Sequence, residues 1–168
     1  IDSMRDDVSI LGPTLDPHAA FLVQRGMKTY FVRWDAQCRN ALRVAEHLAQ
    51  HPRVERVRYP GLPGDPGHDL ALRQMPDFGT IVTIDLAAGE EAGTRFAERL
   101  ELFAIAASLG STESLVVPPA LEKTRGLTAE QRRWADTGPG TVRLSIGLED
   151  VDDLIADLES ALGQPALD

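Results

Sequence analysis

Residues 140–162 read GTVRLSIGLEDVDDLIADLESAL. Val142, Leu144 and Ile146 alternate with Arg143 and Ser145, the two-residue period of a strand with one buried face, bounded by Gly140 and Gly147. From Asp150 the period changes. Val151, Leu154, Ile155, Leu158, Ala161 and Leu162 recur at helical spacing behind an aspartate suited to cap a helix. A strand feeding directly into an amphipathic helix requires a sheet covered by helices. It also leaves one charge, Arg143, inside an otherwise apolar strand.

The same pattern repeats upstream. Asp16 and Pro17 make a cap and first-turn pair. The chain from His18 to His51 is then helical in character, with Ala41, Leu42, Ala45, Leu48 and Ala49 on one face and Gly26 as the expected break. Residues 54–60 read as a short strand, 61–70 as a Gly/Pro-rich loop and 79–86 as a β-branched strand. Residues 89–100 form a helix with Ala92, Phe96, Ala97 and Leu100 inward. Residues 102–110 read as a strand ending in a glycine turn, and 113–120 as extended chain stopped by two prolines. Thr128 and Gln131 have capping-box spacing. The expectation is an α/β (α+β two-layer) domain with a sheet of about four strands covered by helices. Its parts are a lead-in over 1–16, a long connecting helix or helices over 17–51, and the α/β domain over 52–168.

Composition narrows the function. The chain has 168 residues, is 43% hydrophobic and carries a formal net charge of −9. That suits one domain with an ordinary core, and it disfavours nucleic acid and anionic membrane surfaces as partners, since both attract basic patches. No apolar run approaches membrane-spanning length. A single cysteine, Cys38, rules out an intrachain disulfide and points to a reducing, cytoplasmic compartment.

Chemistry-bearing motifs are few. His47 and His51 lie four apart on a helix but lack a third ligand at metal-site spacing, so no metal is expected and they read as solvated histidines. The carboxylates Glu90, Glu91, Glu149, Asp150, Asp152 and Asp153 sit at helix starts, where the dipole favours them. Trp34 and Trp134 read as packing or interface residues. SLGSTES, 108–114, gathers hydroxyls around Gly110 after a strand, an arrangement that serves an anion or an ordinary turn equally well. Arg143 has the planar fork that suits a carboxylate. The residues alone leave it between a solvent-facing charge and a ligand-binding one.

Five pieces occur in a fixed order: RGMKTYFVRWDAQCRNALRVAEHL, VERVRYPGLPGDPGHDLALRQM, FGTIVTIDL, LFAIAASLGSTESLVVPPA and GTVRLSIGLEDVDDLIADLESAL. Together they closely resemble the C-terminal part of the Cys/Met-metabolism pyridoxal-phosphate enzymes, from about Leu11 to Leu162. That group includes cystathionine γ-synthase, cystathionine γ-lyase, methionine γ-lyase and the O-acylhomoserine sulfhydrylases. The resemblance implies the small C-terminal domain of a fold-type-I enzyme, with a mainly antiparallel sheet. It implies γ-elimination or γ-replacement on a homoserine-ester, cystathionine or methionine-type substrate. Arg143 would grip the substrate α-carboxylate, and Ser108 with Leu109 would line the same pocket. The cofactor, pyridoxal 5'-phosphate, acts as an electron sink.

The resemblance also implies what lies elsewhere. The Schiff-base lysine and the cofactor-binding residues belong to an N-terminal domain, on the same or a separate chain. Lys28 and Lys123 do not match the lysine's surroundings, so this chain alone is expected to be inactive, with no catalytic or cofactor-binding residue of its own. Assembly as a homotetramer is implied as well. Two departures bear on substrate. Ala107 stands where some members carry a glutamate, and VPPALEKTR, 117–125, replaces a common Thr-His stretch. They leave open a homologue with an unusual substrate, and a non-catalytic assembly domain is the third alternative.

Overall fold

The computed structural model describes residues 12, 15–119, 121 and 128–163. Most of the lead-in, and Lys123 with Thr124, lie outside the described residues. The chain divides into two compact units, Ile1–Val32 and Arg33–Asp168.

In the first unit, α1 (Pro17–Met27) starts where the sequence places it. The Asp16 carboxylate accepts the His18 and Ala19 N–H groups at 2.9 and 3.2 Å, with Pro17 in the first turn. The helix runs through Gly26 and ends with the Lys28 N–H donating to the Arg25 carbonyl. The break therefore falls two residues later than expected, because a single helical glycine costs only about 1 kcal/mol. No residue of α1 is buried.

The second helix is α2 (Tyr30–Leu48). Then follow β1 (Val54–Arg58), α3 (His68–Gln74), β2 (Ile81–Leu86), α4 (Gly89–Arg99), β3 (Ala104–Ile105), β4 (Leu115–Val117), α5 (Ala129–Trp134), β5 (Thr141–Ser145) and α6 (Val151–Gly163). Spatial order in the sheet is β1-β2-β5-β4-β3, antiparallel except for the parallel β3–β4 pair.

The architecture is the expected one, a mainly antiparallel sheet under helices, with five strands rather than four. The extra strand is the extended 113–120 segment. Its Leu115–Val117 pairs with β5 and is wholly buried. The strand expected over 102–110 shrinks to two residues at the sheet edge. Ala104 and Ile105 pair with β4, the Ala106 N–H adds one bond to the Val116 carbonyl, and Gly110 takes a positive φ of 75°.

Register separates two faces, since neighbours along a strand point to opposite sides. Val82, Ile84 and Leu86, with Val116, Val142, Leu144 and Ile146, form the apolar face. Onto it pack Ala41, Val44, Ala45 and Leu48 of α2, Phe96 and Ala97 of α4, and Leu154, Leu158, Ala161 and Leu162 of α6. The helical face read for α6 is the buried one. Asp150 is its cap, accepting the Asp152 N–H at 2.9 Å. The capping box also forms: Thr128 and Gln131 bond each other reciprocally at 2.8 and 3.2 Å. No described helix is long and apolar enough to cross a membrane.

Candidate substrate-carboxylate site

The other face of the sheet is polar. One row across it reads Arg58, Thr83, Arg143, Val117, and the next reads Arg56, Asp85, Thr141. Three arginines thus share a face, and their surroundings differ.

At the β1 end the charges are matched. Arg58 grips Asp85 with two guanidinium N–H groups, each 2.7 Å from a carboxylate oxygen. The Thr141 hydroxyl donates to the same carboxylate at 2.5 Å, and Arg56 adds a bond at 3.1 Å. Arg56 also reaches Asp136 at 2.8 Å. Burial by itself would raise the Asp85 carboxyl. The donors from Arg58, Thr141 and Arg56 outweigh it and hold the group below the ordinary carboxylate value. The Arg56 guanidinium is raised chiefly by its bond to Asp136. In this corner both arginines are paired with carboxylates.

Arg143, two strands away, is half-buried and differently placed. One of its terminal nitrogens donates to the Ser108 carbonyl at 3.1 Å. Its Nε is buried and has no hydrogen-bond partner among the described residues. No ion pair among them includes it. Orphaned buried donors are rare and call for an explanation. A guanidinium fixed at one nitrogen, with the rest of its fork uncommitted, is arranged to accept a planar anion.

The turn 107–110 completes the picture. Ala107, Ser108, Leu109 and Gly110 are all exposed, and Leu109 keeps 59% of its surface. So two of the residues singled out together, Ser108 and Arg143, meet through the Ser108 main-chain carbonyl, and Leu109 lies next to that contact. The Gly110 N–H donates to the Ser145 hydroxyl at 3.0 Å, which ties the turn to the end of β5.

Sequence reasoning missed the anchors behind this turn. Glu149 was assigned to the helix start. It instead accepts the N–H and the hydroxyl of buried Ser114 at 2.7 and 2.9 Å. Gln37 and Asn40 of α2 donate to carbonyls on both sides of the junction. Composition carries no trace of such long-range bonds. The one local signal was that Asp150 already served as cap, which left Glu149 without a task.

The remaining candidates fall to structural roles. His47 lies 2.6 Å and His51 3.7 Å from Glu159, a link between α2 and α6. No group of three His, Cys, Asp or Glu side chains among the described residues could hold a metal ion. The Cys38 thiol is buried, and desolvation pushes it up to about 11. A cavity of about 420 Å³ opens away from Arg143, among Leu86, Phe96, Leu162 and three arginines. Arg53 bonds the Leu162 carbonyl and Arg95 pairs with Glu91.

Comparison with known proteins points in one direction. The family model described as Cys/Met metabolism PLP-dependent enzyme matches residues 2–163. Over 151 residues the chain is 46% identical to an L-methionine gamma-lyase of Fusobacterium nucleatum subsp. polymorphum, covering 90% of this chain and 38% of that protein. The crystal structure of a cystathione gamma lyase from Micromonospora echinospora superposes with a TM-score of 0.88 at 37% identity, covering 98% of this chain and 43% of that one. An O-acetylhomoserine (thiol)-lyase from Campylobacter jejuni, solved with N'-pyridoxyl-lysine-5'-monophosphate, gives 0.85 at 35% identity, covering 92% of this chain and 37% of that one. The chain thus spans about two fifths of the length of the relatives it matches.

Proposed function

Because this chain belongs to the Cys/Met metabolism PLP-dependent enzyme family, we propose that it supplies the substrate-carboxylate side of an active site for sulfur amino acids. The whole enzyme would carry out γ-elimination or γ-replacement. Arg143 would take the α-carboxylate through its uncommitted N–H groups, and the Ser108 carbonyl would hold the guanidinium in plane. The observation that supports this most is the buried Arg143 Nε without a partner among the described residues, on a face where the other two arginines are paired with carboxylates.

The described residues do not fit the cofactor itself. Pyridoxal phosphate needs an amine for its aldehyde and a cradle of donors for its phosphate. The one lysine among them, Lys28, is an exposed residue after α1. We therefore assign the cofactor to a domain outside this chain, on the same polypeptide or a second one. A tetrameric, cytoplasmic enzyme is the corresponding assembly and location. This chain's part in the reaction is to bind and orient. A bidentate grip on the carboxylate fixes the direction of the Cα–H bond before any proton moves, and removes the need to find that orientation at each turnover.

Ala107 and Leu109 favour a methionine-type substrate. Both flank Ser108 with apolar, exposed surface. An apolar wall suits a thioether chain better than the distal charged amino-acid group of cystathionine. In the intact enzyme, kcat/KM for methionine should exceed that for cystathionine; the opposite preference would contradict this substrate choice. Arg143→Lys should raise KM by about tenfold or more, because an ammonium cannot reproduce the two-point grip. Unchanged steady-state kinetics would remove the assignment.

A further inference from the structure

The 108–114 segment joins β3 to β4 and is held far more firmly at one end than at the other. At the Ser108 end it is exposed. At the Ser114 end it is tied by a set of bonds to the exit of β5 and to α2. Both oxygens of the Glu149 carboxylate are taken by Ser114, through its N–H and its hydroxyl. The Ser114 Oγ in turn accepts the Gly147 N–H at 2.8 Å. The Leu148 N–H donates to the Thr112 carbonyl at 2.8 Å, and Gln37 donates to the Ser111 carbonyl at 2.7 Å and the Ile146 carbonyl at 3.2 Å. Asn40 bonds the Gly147 and Glu149 carbonyls. The fit is close: a Cβ on Gly147 would stand 2.6 Å from both the Glu113 carbonyl carbon and the Ser114 nitrogen.

Glu149 thus holds the Ser114 end of the segment from the exit of β5, as the Ser145 hydroxyl holds Gly110 nearer the other end, and helix capping does not account for Glu149. Asp150 caps α6. The segment's other end carries the Ser108 carbonyl, the one hydrogen-bond partner of the Arg143 side chain among the described residues. A displacement of the segment would release that carbonyl and free the guanidinium to rotate.

We propose that Glu149 is a positioning residue for Arg143, acting through Ser114 and the 108–114 segment. The proposal rests on the reading of Arg143 as the carboxylate clamp. It predicts a loss confined to ligands that have a carboxylate.

The test uses the intact enzyme and two probes: L-norleucine, the all-carbon analogue of methionine, and pentylamine, the same amine without its carboxylate. Glu149→Gln should weaken norleucine binding about tenfold, the effect of giving up one charge-assisted hydrogen bond that fixes the clamp. Pentylamine binding should change less than about twofold, because the loss of affinity is confined to the carboxylate contact. Ser114→Ala, which keeps the main-chain bond to Glu149, should show the same selectivity at smaller size, and it serves if Glu149→Gln does not fold. Equal weakening of both probes would mean general disorder and would overturn the proposal, as would unchanged norleucine binding. Arg143→Lys separates the two levels. If it weakens norleucine selectively while Glu149→Gln does not, only the positioning role fails. If Arg143→Lys is also unselective, the clamp reading fails with it.

Discussion

Two arginines stand in the same row on the same face of one sheet, and their surroundings differ. Arg58 is 20% exposed and gives two 2.7 Å bonds to Asp85, which Arg56 and Thr141 also bind. Arg143 has, among the described residues, one main-chain carbonyl and no partner for its buried Nε. The first arrangement satisfies a buried charge and so holds the fold. The second leaves a buried donor unsatisfied, which costs stability unless something completes it. Residue type and strand position do not separate the two; the neighbouring carboxylate does.

The sharpest way to break this contrast is to remove each guanidinium in the intact enzyme. Arg143→Met should lower kcat/KM on the order of a hundredfold and leave the thermal midpoint within a degree or two, because within the fold it gives up one exposed bond to the Ser108 carbonyl and removes a buried donor that has no partner among the described residues. Arg58→Met should do the reverse. It strips Asp85 of its best partner and should cost about 2 kcal/mol, a drop of several degrees, with KM unchanged. A large stability loss in the Arg143 variant, or a KM effect in the Arg58 variant, would erase the distinction.

A smaller effect follows from Asp85. Its folded value is lowered, so its stabilising contribution is complete above the unfolded value of about 3.9 and is lost as pH falls through the folded one. The stability gap between the wild type and Asp85→Asn should therefore be constant from neutral pH to about 5 and shrink as pH falls below the ordinary carboxylate range of about 4. A gap independent of pH would show that Asp85 is not held ionised by these arginines.

Local signals read well from the sequence here. The Asp16–Pro17 start, the Thr128–Gln131 box, the Asp150 cap and the buried face of α6 all depend on neighbours a few residues apart, and all form. The central strands were legible because their alternation sets the buried face. The edge was not. Residues 102–110 have strand-like composition, but the paired strand covers just Ala104 and Ile105. Pairing is a property of the sheet and not of the segment. The site divides along the same line. Arg143, Ser108 and Leu109 could be named from motifs. Glu149, Gln37 and Asn40 could not, since their partners lie 35 to 109 residues away. The Asp85 corner was missed for the same reason, its bonds spanning three strands.

The most direct test of the contrast is a binding titration of the intact enzyme with L-norleucine and pentylamine, run on the wild type, Arg58→Met and Arg143→Met. The ratio of the two dissociation constants measures what the carboxylate contributes. That ratio should persist in Arg58→Met and collapse in Arg143→Met. A wild-type ratio retained by Arg143→Met would show that the carboxylate is held by some other group, and that Arg143 is only a charge in a strand.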